Sequence, residues 1–370
     1  MIVEDIALTL VRGLGPKGAA HLLHCFGSAA AVFAAGKEEL VARAELRADI
    51  ADEIVRGNAF RQAEAEAAYC RRHGIEALAS TDEAYPKLLG ECNDFPHVLY
   101  VLGNRELMRR PMLSMVGTRR MTAYGRRMCG ELVAGLARRM PELVIVSGLA
   151  FGVDVTCHRA AMDHGLATVG VLPCALPGVV PPTHREVARE MLSRGGALVT
   201  ECHSQSKQNG SFYIARNRII AGMSGGTVVV ESPAAGGSMF TAQFADGYDR
   251  VVMAVPGRAG DSTSEGPNHL IKMQKARLVC SADDILREMM WDLSLPQVEA
   301  SQVRRMEVLG REERELLERF GEGESPSVDE LAAATGCSVS EVSARLFGLE
   351  MAGVVRTVPG GRYERTMRWK

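Results

Sequence analysis

Between Ser211 and Ser232 the chain reads SFYIARNRIIAGMSGGTVVVES. Two adjacent aromatics, Phe212 and Tyr213, precede a basic and amide cluster, Arg216, Asn217 and Arg218. Bases stack on aromatic faces, and guanidinium forks pair bidentately with phosphate oxygens. The ligand such a mixture suits carries both groups: a nucleic acid strand or a nucleotide. The plainer alternative is the start of a surface helix, with salt-bridged arginines and rings that cap the core. Three Gly-rich turns bear on the choice: Gly117-Thr118-Arg119, Ser147-Gly148 and Gly236-Gly237-Ser238, each ahead of a helical pattern. Backbone amides at a helix start attract anions, so three such turns on one edge suit several phosphates. None has the GxGxxG spacing of a dinucleotide site or the GxxxxGK[ST] of a triphosphate loop, and no cofactor is expected. Asp154 and His158, four residues apart with Cys157 beside them, raise acid-base or metal chemistry; a capping Asp and a hydrogen-bonded His are the commoner outcome. No catalytic and no metal residue is assigned.

The elements that would position these residues alternate. From Pro111 to about Met290, strand-sized apolar runs alternate with helical stretches, the pattern of a parallel sheet covered on both faces. The runs are 112–116, 143–146, 167–172, 197–200, 227–230 and 251–255, with 277–280 a possible last. In an open parallel sheet the loops after the strands share the carboxyl edge, where ligands bind, so the chemistry is expected on one rim. Ahead of this region, residues up to about Gly74 are Ala-rich and helical in pattern. LVRGLGPKGAAHLLHCFGSAAAVF resembles a helix-hairpin-helix unit, whose Gly-rich turn exposes amides that can approach a DNA phosphate, and a weaker copy spans 46–55. YPKLLGECNDFPHVLYVLG, at 85–103, reads as a Pro-broken linker leading into the next strand. After a variable linker, three amphipathic helical segments beyond Gly310 and a hairpin tipped by Pro359-Gly360-Gly361 outline a winged helix. Arg345 stands against Glu341 and Glu350 there, so base-specific readout is not expected. Protein contacts or weak duplex binding fit better, with Arg356, Arg362 and Arg365 as the wing's basic group.

At 370 residues, 46% hydrophobic and 24% charged, the composition is that of a soluble globular protein of two or three domains. No run approaches a membrane span and the N-terminus lacks the order of a signal peptide, which predicts a cytoplasmic protein without membrane contact. Nine scattered cysteines with no CxxC pair predict reduced thiols. A net charge of -2 confines any nucleic-acid contact to a local patch.

VGTRRMTAYG, SGLAFGVDVTCH, ARNRIIAGMSGGTVVVES, GGSMFTAQFA, VMAVPG and SEGPNHLI occur in the order and approximate spacing of the DNA-processing protein A family (DprA, also called Smf), and the resemblance covers essentially the whole chain. It implies an α/β fold: an extended Rossmann-like parallel sheet domain at 80–290, flanked by a helical helix-hairpin-helix (SAM-like) domain at 1–75 and a winged-helix domain at 305–370. It also implies a protein that is not an enzyme, binds and protects incoming single-stranded DNA, loads the RecA recombinase in natural transformation, and forms a homodimer. On the matching positions, Arg119 takes the role of the pocket arginine on a phosphate, with Thr118 beside it, and Gly117 and Gly148 allow close backbone approach. The family's stacking aromatic falls on Tyr213, with Phe212 the other candidate, and Arg216, Asn217 and Arg218 match directly. A basic residue of the family is replaced by Gly210, for which Lys207 substitutes from a shifted loop, and the usual Tyr-Pro after the third strand is Val180-Pro181-Pro182 here. The alternative is a Rossmann-like nucleoside monophosphate phosphoribohydrolase. Its loop resembles PGGxGTxxE, whereas Ala242 and Gln243 follow Thr241 here, which leaves out the carboxylate that chemistry needs. Glu231 is expected to orient the rim.

Overall fold

The computed structural model describes residues 2–206, 210–291, 311–320, 325–351, 354–358 and 361–365. The chain divides into two compact units, 1–291 and 292–370. In the first, six helices lead: α1 (Ile2–Leu10), α2 (Pro16–Phe26), α3 (Ala29–Ala34), α4 (Lys37–Ala44), α5 (Ala48–Arg56) and α6 (Phe60–His73). Local chemistry sets their ends. Pro16 opens α2, where its missing N–H is no loss, and Gly27 closes it at φ 83°, its N–H bonded to the Leu23 carbonyl.

A nine-stranded sheet follows: β1 (Ile75–Ala79), β2 (Val98–Gly103), β3 (Met112–Val116), β4 (Val144–Ser147), β5 (Ala167–Val171), β6 (Ala197–Thr200), β7 (Gly226–Val229), β8 (Val251–Ala254) and β9 (Arg277–Leu278), in the order β1-β2-β6-β5-β4-β3-β7-β8-β9. The strands from β3 to β9 pair in parallel, as the alternating pattern predicts. Residues 85–103 are not a linker. They hold the short helix α7 (Lys87–Gly90) and β2, which pairs antiparallel with β1 on one side and β6 on the other. Prolines 86 and 96 break helix, as read, but the apolar run Val98–Leu102 behind them is an interior strand, which extends the sheet by two strands.

Because side chains alternate along a strand, β3 sends Met112 and Val116 to one face and Leu113 and Met115 to the other, and each face carries its own core. The remaining helices are α8 (Ala123–Arg139), α9 (Val153–Asp163), α10 (Arg185–Ser193), α11 (Ser211–Met223), α12 (Gly237–Gly247), α13 (Glu265–Lys272) and α14 (Ala282–Glu288). The Ser114 hydroxyl, buried in β3, donates to the Ile220 carbonyl and shares a hydrogen bond with Ser224, both at 2.7 Å. These contacts tie the end of α11 to the centre of the sheet. The leading helices share a third core with the sheet: Ile6, Ala63 and Ala67 pack with Val98, Tyr100, Leu198 and Met191. Polar contacts reinforce it. Glu66, 3% exposed, accepts from the Ser204 backbone N–H at 2.9 Å, and His97 lies between Ser80 Oγ (2.7 Å) and Asp5 (2.9 Å).

In the second unit, α15 (Arg311–Leu317), α16 (Val328–Thr335) and α17 (Val339–Met351) precede the hairpin β10 (Val355–Val358) and β11 (Arg362–Arg365). Leu316, Leu317, Leu331, Val342, Leu346 and Val355 form its core, in the winged-helix outline. The tip residues Pro359 and Gly360 lie outside the described residues. The wing arginines are not a free basic group. Arg356 pairs with Glu364, Arg362 pairs with Glu330, and Arg365 donates to the Phe320 carbonyl.

Ile6 is fully buried at the junction of helices and sheet. Ile6→Ala is expected to cost about 2–5 kcal/mol of unfolding free energy. The check is urea denaturation of the full chain: the midpoint falls, and an unchanged midpoint would mean that the helical layer does not share the sheet's stability.

Candidate nucleic-acid interface

A pocket of about 470 Å3 opens at the carboxyl edges of β3, β4 and β7. Of the residues singled out in the sequence, it is lined by Gly117, Thr118 and Arg119 after β3, Asp154 on α9, Tyr213, Arg216 and Asn217 on α11, and Gly236, Gly237 and Ser238 at the start of α12. Residues from four distant stretches therefore meet on one rim.

Arg216 forms the floor. It is 5% exposed, and its Nη1 donates to the Val171 carbonyl at 2.5 Å. Burial pulls its pKa below the usual guanidinium value, while the Asp154 charge works the other way. Asp154 is likewise buried: desolvation pushes its carboxyl up, against the Arg216 charge and the amides of Ala150 and Gly148, which donate to it at 3.3 and 3.2 Å. A Cβ on Gly148 would fall on the Arg216 guanidinium. The close approach at Gly148 is thus made by a side chain of the protein itself, and Ser147 is 0% exposed with its hydroxyl on the Met115 carbonyl at 2.6 Å. Neither residue lines the pocket.

Two of the three expected anion-binding helix starts are already filled by carboxylates of the chain. Glu231, 2% exposed, accepts from the Thr122 backbone N–H (2.8 Å) and hydroxyl (2.6 Å) at the start of α8. Its oxygens are held there and it does not line the pocket, which is the orienting role expected of it. Asp154, which does line the pocket, holds the loop before α9 through the Gly148 and Ala150 amides. The third start is different: Gly236 caps α12 without a side-chain bond, Gly237 has open space around it, and the first turn faces the pocket. Asn217 Nδ2 donates to the Gly237 carbonyl at 3.2 Å and clips α11 to α12.

Above the floor, the exposed Arg119 places its guanidinium 5.6 Å from the centre of the Tyr213 ring, a cation-π arrangement. Tyr213 lines the pocket and Phe212 does not. Arg218 does not share the site with Arg216: it is 8% exposed and paired with Glu201 behind the helix. Lys207 lies outside the described residues. Arg120, Ile214 and Phe240 line the pocket as well and were not singled out in the sequence. Phe240, 42% exposed, was legible in GGSMFT as an aromatic one turn into a helix that opens on the rim.

His158 sits beneath this floor, fully buried, with Nδ1 2.6 Å from Thr168 Oγ1. Thr168 spends its own proton on the Ile145 carbonyl, so His158 Nδ1 carries hydrogen and donates.

Residues 76–290 match the family model described as DNA recombination-mediator protein A, and 304–361 match the DprA winged helix domain. The chain is 35% identical to protein Smf of Escherichia coli K12 over 287 residues, which covers 77% of this chain and 76% of that one. It is also 35% identical to DNA processing protein DprA of Streptococcus pneumoniae over 208 residues, 56% of this chain and 72% of that one. The X-ray structure of DNA processing protein A from S. pneumoniae aligns with a TM-score of 0.62 at 28% identity over 78% of this chain and 98% of that one. A structure of DNA processing protein A from Helicobacter pylori, concerned with its single-stranded DNA binding mode, aligns with a TM-score of 0.52 at 26% identity over 59% and 96%. The fold and rim define a Rossmann-like α/β protein whose rim pocket joins arginines, an open helix start and an aromatic ring. The chain belongs to the DNA recombination-mediator protein A (DprA) family.

Burial and the nearby Arg216 and His184 charges push His158 down to about 3. The unfolded chain takes up that proton near 6.5, so stability is retained above this value and lost as pH falls towards 3. Urea midpoints measured between pH 7 and 4 should decline, and the decline should flatten in His158→Gln; an equal slope in both proteins would show that His158 does not carry the linkage.

Proposed function

We propose that this chain binds single-stranded DNA in the rim pocket, protects it, and delivers it to the RecA recombinase in natural transformation. It acts without catalysing a reaction, as a cytoplasmic homodimer. The observation that carries the reading is the joining, in one pocket, of an open helix start, an exposed arginine and an aromatic ring. Membership of the DprA family and the subject of the H. pylori structure support it. Among the described residues no helix is long and apolar enough to cross a membrane.

In this reading Arg119, Thr118 and the first amides of α12 at Gly237 and Ser238 hold phosphates, Tyr213 stacks a base, and Arg216 gives the floor its positive charge. Lys207 adds a further phosphate contact from its loop. Phosphate neutralisation and stacking both tolerate any sequence, so little base preference follows. The three-domain division at 1–75, 80–290 and 305–370 is part of the same proposal, with the winged helix given to protein contacts or weak duplex binding. Among the described residues of the wing, Arg356 and Arg362 already have carboxylate partners, which leaves the hairpin little free positive charge for phosphates.

The test is fluorescence anisotropy of a labelled oligothymidine titrated with the protein across salt, with duplex and nucleoside monophosphate as competitors. Salt-sensitive binding that neither competitor displaces is expected; efficient displacement by the monophosphate would favour a small-nucleotide enzyme instead. Arg119→Ala should weaken binding and lower the salt slope by about 0.7, the share of one phosphate on a single strand. Tyr213→Ala should cost about 1–3 kcal/mol with an unchanged slope, and Phe212→Ala should be silent. A silent Tyr213→Ala would remove stacking from the mechanism.

A further inference from the structure

A second cavity, of about 130 Å3, lies on the same rim, where the turn between α1 and α2 meets the start of β2 and the end of β6. That is well below the roughly 300–1,000 Å3 of pockets for drug-sized ligands. Its apolar walls come from Leu14, Pro16 and Ala19 on one side and Pro96 and Val98 on the other. Tyr100, Glu201 and His203 supply polar groups. Tyr100 is 3% exposed, and its hydroxyl and His203 Nδ1 are buried atoms with no hydrogen-bond partner among the described residues. A buried polar group left so costs about 1–3 kcal/mol, which a hydrogen-bonding group brought within reach of either atom would recover.

The lining also states what the occupant is not. Among the described residues no Lys or Arg lines the cavity, both ring nitrogens of His97 are taken by Ser80 and Asp5, and Glu201 is paired with Arg218, so none of these side chains offers a phosphate a free cation. The chemistry left is a small neutral molecule with flat apolar faces and an edge of donors and acceptors, which describes a nucleobase. β6 stands three strands from β3 in the sheet, about 14 Å at the usual strand spacing. A strand a few nucleotides long spans that gap. Resting on the single-stranded DNA reading above, we propose that this cavity receives one unpaired nucleobase of the strand whose phosphates lie in the Arg119 pocket. The two sites share a physical link: Glu201 holds Arg218 on α11, the helix that carries Tyr213 and Arg216.

The experiment uses the full chain and follows the histidine ring signals by NMR, with His203 assigned from the His203→Gln spectrum. Thymidine or deoxyadenosine at millimolar concentration should shift the His203 signals, and deoxyribose 5-phosphate, which has no base, should not. Ala19→Met, which fills the cavity, should abolish the shift and raise the Kd for oligothymidine several-fold at an unchanged salt slope. The near-isosteric Tyr100→Phe, which keeps the packing, should weaken nucleoside binding several-fold. Arg119→Ala should leave the nucleoside shift intact. Oligothymidine that binds the protein while neither it nor a nucleoside moves His203 would mean a water-filled cavity only, and would overturn this proposal with the strand reading still standing. Nucleosides that shift His203 while no oligomer binds would keep the nucleobase site and sink the strand reading.

Discussion

The rim is built on the burial of one guanidinium. Arg216 is enclosed under the loop after β4, and an unpaired buried charge is expensive, so its surroundings have to answer it. They do so with the Val171 carbonyl and the Asp154 charge. The geometry follows from that requirement. Position 148 has no room for a side chain, the loop amides at 148 and 150 must fold around Asp154, and Leu149 is forced to φ 54°, a left-handed conformation that a branched residue rarely adopts. Strain of this kind persists only where the packing around it over-determines the backbone. Here Leu149 is fully buried, and its carbonyl accepts from His184 Nδ1 at 2.7 Å.

Carboxylates of the chain decide where an external anion is welcome. Helix starts are intrinsically receptive to negative charge, and three of those on the rim follow Gly-rich turns. Glu231 occupies the start of α8 and Asp154 the loop before α9, which fixes those two elements to the sheet. Only at α12 is the first turn left facing the pocket, beside Arg119 and the Tyr213 ring. The same device of internal satisfaction explains Arg218. Its pairing with Glu201 anchors the back of α11, so the front of the helix holds Tyr213, Arg216 and Asn217 in place. Buried pairs of this type specify geometry more than they add stability.

Most of the fold was legible. Seven strands from 112 onward were visible as short apolar runs separated by helical stretches, because a sheet covered on both faces needs strands apolar on both sides. β2 was hidden by its flanks: prolines 86 and 96 mark a break in helix, and they say nothing about whether an apolar run behind them joins a sheet. Its antiparallel pairing with β6 is a long-range contact with no local signature.

By itself the sequence determined the family, the alternation of strands and helices, and the gathering of the special loops on one edge, since these follow from residue type and spacing along the chain. It also carries a further signal: successive helical residues turn by about 100°, so Arg216 and Arg218 cannot share a face, whereas Tyr213, Arg216 and Asn217 can. Tertiary structure alone decided which helix starts are filled and which is open, because Glu231 and Thr122 are 109 residues apart and nothing local announces their bond. It likewise decided that Gly148 makes room for Arg216, 68 positions on, and that the Gly-rich turn before α2 walls a cavity with Pro96 and Tyr100. Spacing along the chain specifies which chemistry is present; only packing decides which polar groups are consumed internally and which remain to meet a ligand.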